Sequence, residues 1–370
     1  MGAEHVVLQD EWTATELTGG DSGMVKTAVI GLGRIGWQYH VPEVSAHDGF
    51  DLAAVVDLDQ ERIDEARRDY GVRGYADYRE MLSHVNPDLV VVASPTHLHA
   101  EHAIAAMRSG ADVFLDKPMA ATLDEAREID AVRRETGRKL MVYQPHRAVP
   151  EVGVIKEILE LGILGPVYMV KRATSRYTRR SDWQSQLRYG GGMLNNYGAH
   201  FIDQIMFLFG GAADSVRCHR YRIASLGDAD DVVKIVIKTT TGVLLDLDIN
   251  QASTHEISPW MIFGKYGTLT YRRNSDGAAA FEAVYVLPEE LPPLTLISEL
   301  KAPGRLYDQS APIPWKTRSF AVTPQYAVEF YDTCYAYFAR NEPPFVPIES
   351  TFEVMEVLDR CRKDSEIIAI

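Results

Sequence analysis

The chain has 370 residues, 46% hydrophobic and 24% charged, the proportions of an ordinary globular protein. Its formal charge of −14, from 38 Lys and Arg against 52 Asp and Glu, disfavours nucleic acid and anionic membrane as partners. No apolar run approaches the ~18 residues of a membrane span, and 3 scattered cysteines speak against a disulfide framework and for a reducing, cytoplasmic compartment.

At about 150 residues per domain the length fits two or three domains. Residues 1–23 end in a Gly/Asp/Ser cluster and lack a basic segment leading into an apolar core. They read as a flexible extension or an arm that docks on a partner subunit. From Lys26 strands and helices alternate. KTAVI is a strand, followed by GLGRIG and a helix to about Ala46. DLAAVV is the next strand, and Asp59 caps a helix that stops at Gly71. DLVVVA leads into a helix from about His97 to Ser109. ADVFL follows, then a helix opened by the Thr122/Glu125 capping box and ended by Gly137, then KLMVY. Continuous apolar strands between amphipathic helices predict a doubly wound parallel sheet over residues 24–143.

After Pro145 the pattern changes. A helix over about 150–161 precedes the strand PVYMVKRATS. A glycine-led helix with the stretch GGGMLNNYGAHFID comes next, then the strands DSVRCHRYRI, DVVKIVIKTT, GVLLDLDINQ and WMIFG/GTLTYRR. The turn Thr239–Gly242 reads as a hairpin. Residues 287–320 are proline-rich and aperiodic and read as an extended excursion; helices over about 324–340 and 349–363 close the chain. Residues 144–370 are therefore expected to form an α+β domain on a mostly antiparallel sheet.

Four stretches carry chemistry. GLGRIG follows a strand and opens a helix. Gly31 permits the turn, Gly33 lets the backbone reach a pyrophosphate, Gly36 lets helix and strand pack, and the helix N-terminus offers N–H donors. Asp57, ending the next strand, can accept both hydroxyls of a ribose and repel a 2′-phosphate, so NAD is expected rather than NADP. Arg34 and Ile35 belong to the same turn. ASPTHLHAEH holds His97, His99 and His102, but the first two point apart on a helix and no Cys or close carboxylate pair completes a metal set, so no metal is expected. Its place after the third apolar strand puts Ser94, Pro95, Thr96 and His99 at the cofactor crevice. Solvated histidines at a helix start are the plainer alternative. DKP places Asp116 and Lys117 at the end of the fourth apolar strand, and a cis bond at Pro118 would aim the lysine. In the glycine-led helix, Asn196, His200 and Asp203 fall at i, i+4 and i+7. His200 could be a satisfied core histidine or part of a site. The glycines could form a mobile loop or a backbone that a ligand approaches closely.

Taken together, GLGRIG, SPTHLH, DKP and GGGMLNNYGAH resemble the glucose–fructose oxidoreductase/inositol dehydrogenase (Gfo/Idh/MocA) family over nearly the whole chain after Met24. The resemblance implies an NAD-binding Rossmann domain, an open-faced antiparallel sheet that mediates a homodimer or homotetramer, and hydride transfer to or from a sugar, polyol or related alcohol. It also implies catalytic roles for Lys117, Asn196 and His200, and a place at the cofactor for His99. Asn196 stands where many members carry an aspartate, and an amide cannot take a proton. The acid–base work then falls on His200, on Lys117, or on both. The expected arrangement has His200 as general base, Lys117 stabilising the alkoxide, and Asn196 orienting the lysine. Asp203 either orients His200 or makes a core contact. Gln144, His146, Arg147 and Trp183 are expected to shape the substrate pocket, with Arg176, Arg179 and Arg180 nearby. Two alternatives keep the cofactor: a redox-neutral lyase or glycosidase with transient oxidation, and a non-catalytic NAD/sugar sensor.

Overall fold

The computed structural model describes residues 23–273, 277–296 and 311–370. The N-terminal extension, and the middle of the proline-rich excursion, lie outside the described residues.

The first sheet has six parallel strands. These are β1 (Val25–Ile30), β2 (Phe50–Val56), β3 (Arg73–Tyr75), β4 (Leu89–Val92), β5 (Asp112–Asp116) and β6 (Leu140–Tyr143), in the order β3-β2-β1-β4-β5-β6. Between them run α1 (Val41–Ala46, entered through a π-helical turn at Gly36–His40), α2 (Gln60–Tyr70), α3 (Tyr78–Val85), α4 (His99–Arg108) and α5 (Leu123–Thr136). Strand order reverses between β1 and β4, which opens a crevice at the C-terminal strand ends. The caps act as their residue types dictate. Asp59 accepts from the Glu61 amide at 3.0 Å, and Thr122 and Glu125 form a complete capping box. The strand β3 and the helix α3 escape the sequence pattern because each is short; α3 is capped by Asp77, which accepts from the Arg79 amide.

The second half begins with α6 (Pro150–Glu160) and β7 (Val167–Ser175). A π-helical turn at Leu194–Gly198 leads into α7 (Ala199–Phe209). Then come β8 (Ala213–Arg222), β9 (Val232–Thr239), β10 (Leu244–Asn250), β11 (Trp260–Gly264), β12 (Gly267–Arg273), β13 (Ala279–Tyr285) and β14 (Lys316–Ala321). The chain closes with α8 (Phe330–Arg340), α9 (Ile348–Asp364) and β15 (Ile367–Ala369). The sheet has nine strands in the order β14-β13-β12-β11-β7-β10-β9-β8-β15. It is mostly antiparallel, but β7 pairs in parallel with β10 and β8 with β15. Part of the stretch expected to be an excursion is the edge strand β14, paired with β13. Both strands lack strict apolar alternation and were not legible as strands.

One face of this sheet is covered by α7, whose Phe201, Ile202 and Ile205 join Val170, Ile235, Leu245, Leu247 and Ile249 in one core. The C-terminal helix α8 does not stay with the second sheet. Its Phe330, Tyr331, Cys334 and Phe338 pack with Val29, Val91 and Phe114 of the first sheet, and the Lys139 ammonium donates to the carbonyls of Tyr337 and Phe338. A boundary at residue 143 therefore divides the sequence but not the packing. Phe330→Ala is expected to lower stability by about 3–5 kcal/mol, read from urea unfolding followed through the first domain. An unchanged midpoint would show that α8 is no part of that core.

Candidate active site

A cleft of about 1400 Å³ runs along the C-terminal edge of the first sheet and is closed on its other side by residues 176–200. Single small-ligand sites occupy about 300–1,000 Å³, so this one has room for a dinucleotide and a second molecule. Its floor is the glycine-rich turn. Gly31 has φ +99°, and a Cβ there would lie 2.7 Å from the Ala93 carbonyl carbon; at Gly36 a Cβ would run into the Gly31 carbonyl. Beside Gly33 lies open space. The cradle thus fits a pyrophosphate laid against the helix N-terminus, whose first N–H groups have no intrahelical partner. Arg34 and Ile35 line the same turn. Asp57 accepts from the amides of Leu32 at 2.7 Å and Asp59 at 2.9 Å, and Arg62 stands 3.5 Å away. The carboxylate is oriented by backbone amides and remains on the cleft wall.

Asp116 ends β5 and holds the next amide, that of Lys117, at 2.8 Å. The Lys117–Pro118 bond is cis. The Lys117 ammonium crosses to the second half of the chain, donating to Asn196 Oδ1 at 2.9 Å and to the Asn196 carbonyl at 3.2 Å. Asn196 in turn donates from Nδ2 to Gln184 Oε1 at 3.2 Å. Burial lowers the Lys117 pKa to about 8; Asp116 opposes the shift and Arg34 adds to it.

His200, one turn beyond Asn196, is buried with Nδ1 lacking any partner. Its ring stacks on His146, centroids 4.0 Å apart and planes 7° apart. Burial pushes its pKa well below 6.5, and His146, Lys117 and Arg172 push it the same way. His146 is pushed down to about 3, first by burial, then by Arg172 and Lys117. None of the groups acting on either ring is a carboxylate, so both are neutral across the neutral pH range.

Several expected site residues stand elsewhere. Asp203 does not reach His200. It forms a bidentate, fully buried ion pair with Arg147, Nε to Oδ2 at 2.7 Å and Nη2 to Oδ1 at 2.5 Å. Arg147 also donates to Ser350 at 2.8 Å and lies over Phe207, so it faces α9 and the interior instead of the cleft. Gln144 is buried and does not line the cleft either. The i, i+4, i+7 face holds for Asn196 and His200, which both line the cleft, and fails at Asp203, whose carboxylate is held in the interior by the buried Arg147. His146 and Trp183 do line the cleft, as do Ser94, Pro95, Thr96 and His99. His99 is committed on both sides, with Nδ1 2.9 Å from the Pro118 carbonyl and Nε2 2.9 Å from the Ser94 carbonyl. It ties the lysine loop to the end of β4. His102 contacts Ser94 Oγ at 3.0 Å, and among the described residues no three His, Cys, Asp or Glu side chains converge as a metal set.

The glycines at 190–192 pack closely instead of supplying a loose loop. A Cβ at Gly190, whose φ is +75°, would meet Thr96 of the first domain at 2.8 Å. At Gly191 it would meet the Gln184 carbonyl at 2.5 Å, and at Gly192 the Asp230 carboxylate at 2.9 Å. Asp230 accepts from the Leu194 amide at 2.8 Å, and Asn195 Nδ2 donates to the Gly190 carbonyl at 3.0 Å while its Oδ1 accepts from Arg362. Two contributors escaped the sequence reading. Gln184 sits in a short loop with no periodicity. Arg172, its guanidinium 3.9 Å from the Phe201 ring centre and 4.6 Å from that of Trp260, sits inside a strand where nothing marks it.

A Rossmann-type crevice lined by its own lysine together with an amide and a histidine from the helical segment of the second half is the arrangement of a nucleotide-dependent oxidoreductase. Residues 25–144 match the oxidoreductase family with an NAD-binding Rossmann fold, and residues 153–270 match the GFO/IDH/MocA C-terminal domain. The chain belongs to the GFO/IDH/MocA oxidoreductase family. Curated relatives include D-glucoside 3-dehydrogenase of Escherichia coli, 29% identical over 54% of this chain and 59% of its own. Another is scyllo-inositol 2-dehydrogenase (NADP+) of Bacillus subtilis, 28% identical over 50% of this chain and 52% of its own. The chain thus spans little more than half the length of these relatives. Among solved structures, an NAD-binding protein from Listeria innocua superposes with a TM-score of 0.77 at 22% identity, covering 92% of this chain and 97% of its own. The WlbA dehydrogenase of Bordetella pertussis, in complex with NADH and UDP-GlcNAcA, gives 0.72 at 19%, covering 92% and 96%. At these identities the likeness concerns the fold.

The buried pair yields a prediction. Arg147→Met strands the Asp203 carboxylate and is expected to cost about 3–5 kcal/mol, whereas Arg147→Met with Asp203→Leu should recover most of the loss. Urea unfolding of the single and double variants measures both. Equal stability of the single variant and the parent would contradict the pairing.

Proposed function

We propose that this protein transfers hydride between a nicotinamide cofactor and a secondary alcohol of a sugar, polyol or sugar derivative. The observation that supports this most is that Lys117, Asn196 and His200 line the same cleft as Gly33 and Asp57. When bound, the nicotinamide supplies the hydride acceptor or donor. Asp57 favours NAD, because its carboxylate suits a ribose diol and repels a 2′-phosphate. In the oxidation direction the hydroxyl proton passes to the neutral Lys117 amine as the carbinol hydrogen leaves as hydride, and a carbonyl results. The ammonium formed is already provided with two acceptors, Asn196 Oδ1 and O. A general base works best with a pKa near the operating pH. Lys117 meets that condition at about 8, and His200, held well below 6.5 with cations and an imidazole around it, does not. The proton role expected of His200 therefore moves to Lys117, and neutral His200 serves as a hydrogen-bond partner that orients the alcohol. The same reading has the chain working in the cytoplasm, which its free buried thiols support, as a homodimer or homotetramer through the uncovered face of the second sheet.

The test is NADH formation by the purified protein with a panel of sugars, polyols and nucleotide sugars, with NAD compared against NADP. Catalytic turnover without NADH accumulation would instead favour the redox-neutral alternative. The sign of the pH dependence follows from the neutral amine being the active form. Oxidation should rise with pH through a midpoint near the Lys117 value of about 8, and reduction should fall over the same interval. Lys117→Met should remove the transition and lower turnover by about 10²–10⁴. Asn196→Asp adds a carboxylate to the ammonium and should move the midpoint upward. A midpoint that stays put in Asn196→Asp would argue that another group titrates.

A further inference from the structure

This inference rests on the reading that the cleft takes the substrate beside Lys117. The cleft wall contributed by the second domain carries the charged residues Arg176, Arg180 and Asp182. Residues 176–180 read RYTRR. Arg180 is neutralised by Asp182, Nη2 to Oδ2 at 2.7 Å. Arg176 is not: among the described residues it has no carboxylate partner, and it lines the cleft.

Arg176 is nevertheless held in place. It follows directly from β7, where that strand runs parallel to β10, and its amide donates to the Asn250 carbonyl at 2.9 Å. Its Nε donates to Gln251 Oε1 at 3.1 Å and its Nη2 to the Tyr197 hydroxyl at 3.1 Å, with the guanidinium 5.5 Å from the Tyr197 ring centre. Gln251 is 1% exposed, and its Nε2 is buried without a partner. A buried amide that leaves its own nitrogen unpaired while its oxygen fixes an arginine is a supporting group, since such orphans are rare without a reason. Both groups that hold Arg176 are neutral, so its charge is oriented and, being exposed, is met by solvent instead of a carboxylate. Tyr197 is the residue after Asn196, which receives the Lys117 ammonium. The free Nη1 donor and the reacting end of the cleft are thus set by adjacent residues of one π-helical turn. An arginine fork suits carboxylate and phosphate oxygens.

We propose that the alcohol substrate carries an anionic group, a carboxylate or a phosphoryl group, and that Arg176 binds it. A neutral polyol would leave this oriented cation facing nothing that complements it.

The experiment titrates the full-length protein, saturated with NAD, with D-glucose, D-glucuronate and D-glucose 6-phosphate by calorimetry. At least one charged sugar should bind tenfold or more tightly than glucose. A preference for glucuronate points to a carboxylate and a preference for glucose 6-phosphate to a phosphoryl group. Arg176→Gln should bring the charged sugar down to the affinity of glucose, and Arg176→Lys should restore part of the difference. No discrimination by the parent protein, weak binding of all three alike, or discrimination that survives Arg176→Gln would overturn the proposal. A change in NAD affinity in place of sugar affinity would do the same. NADH formation is scored separately. Equal oxidation of glucose and glucuronate keeps the hydride-transfer reading and defeats this one, whereas preferential binding of a charged sugar without NADH formation does the reverse.

Discussion

The cleft depends on one crossing contact above the others: the Lys117 ammonium of the first domain held by the side-chain and main-chain oxygens of Asn196 in the second. A cation withdrawn from water must find acceptors or lose its charge. Here it finds two neutral ones, and burial, opposed by the Asp116 carboxylate, brings its pKa down to about 8. The surrounding structure exists to keep those oxygens in place. Asp230 caps the start of the Asn196 segment, Arg362 from α9 fixes Asn195, and Gly190 lets the chain come up against Thr96. Each of these comes from a different part of the sequence.

The amide at position 196 sets the electrostatics of everything near it. An aspartate there would pair with Lys117 and draw protons onto His200 as well. With the amide, no carboxylate acts on His200 or His146, and desolvation decides their charge. His200 and His146 stack as two neutral rings, a geometry that two imidazolium ions at 4.0 Å could not hold. Arg172 stays charged nearby because aromatic faces and neutral acceptors (the Gln204 side chain and the carbonyls of Ala173 and Pro259) surround it.

Much of this was legible in the sequence, and the reasons are local. The first sheet announces itself because its strands are buried on both faces and its helices carry caps at their ends, so Asp59, Thr122 and Gly137 mark boundaries without tertiary information. GLGRIG is readable because close backbone approach requires glycine whatever the rest of the fold does. The convergence of Lys117 with Asn196 and His200 was legible only through the family resemblance, since 79 residues separate the first pair. Asp203 and Arg147 misled for the same reason: helical spacing tells which residues share a face, but not that a buried arginine from a distant segment claims one of them. The edge strand β14 and its neighbour β13 were lost because the residues between them, 286–315, are too many and too rich in proline to read as a hairpin turn.

The glycine loop bears on how the site works. A flexible loop would have to order when ligands arrive, at a cost of about 1–2 kcal/mol per residue fixed. Residues 190–192 are instead packed against Thr96, the Gln184 carbonyl and Asp230. Hydrogen-bonding groups that are already oriented need no reorganisation when charge develops, which is where preorganised sites gain most of their effect. The glycines are thus there for closeness. They let the second domain approach the first near enough for an amine on one to be held by an amide on the other.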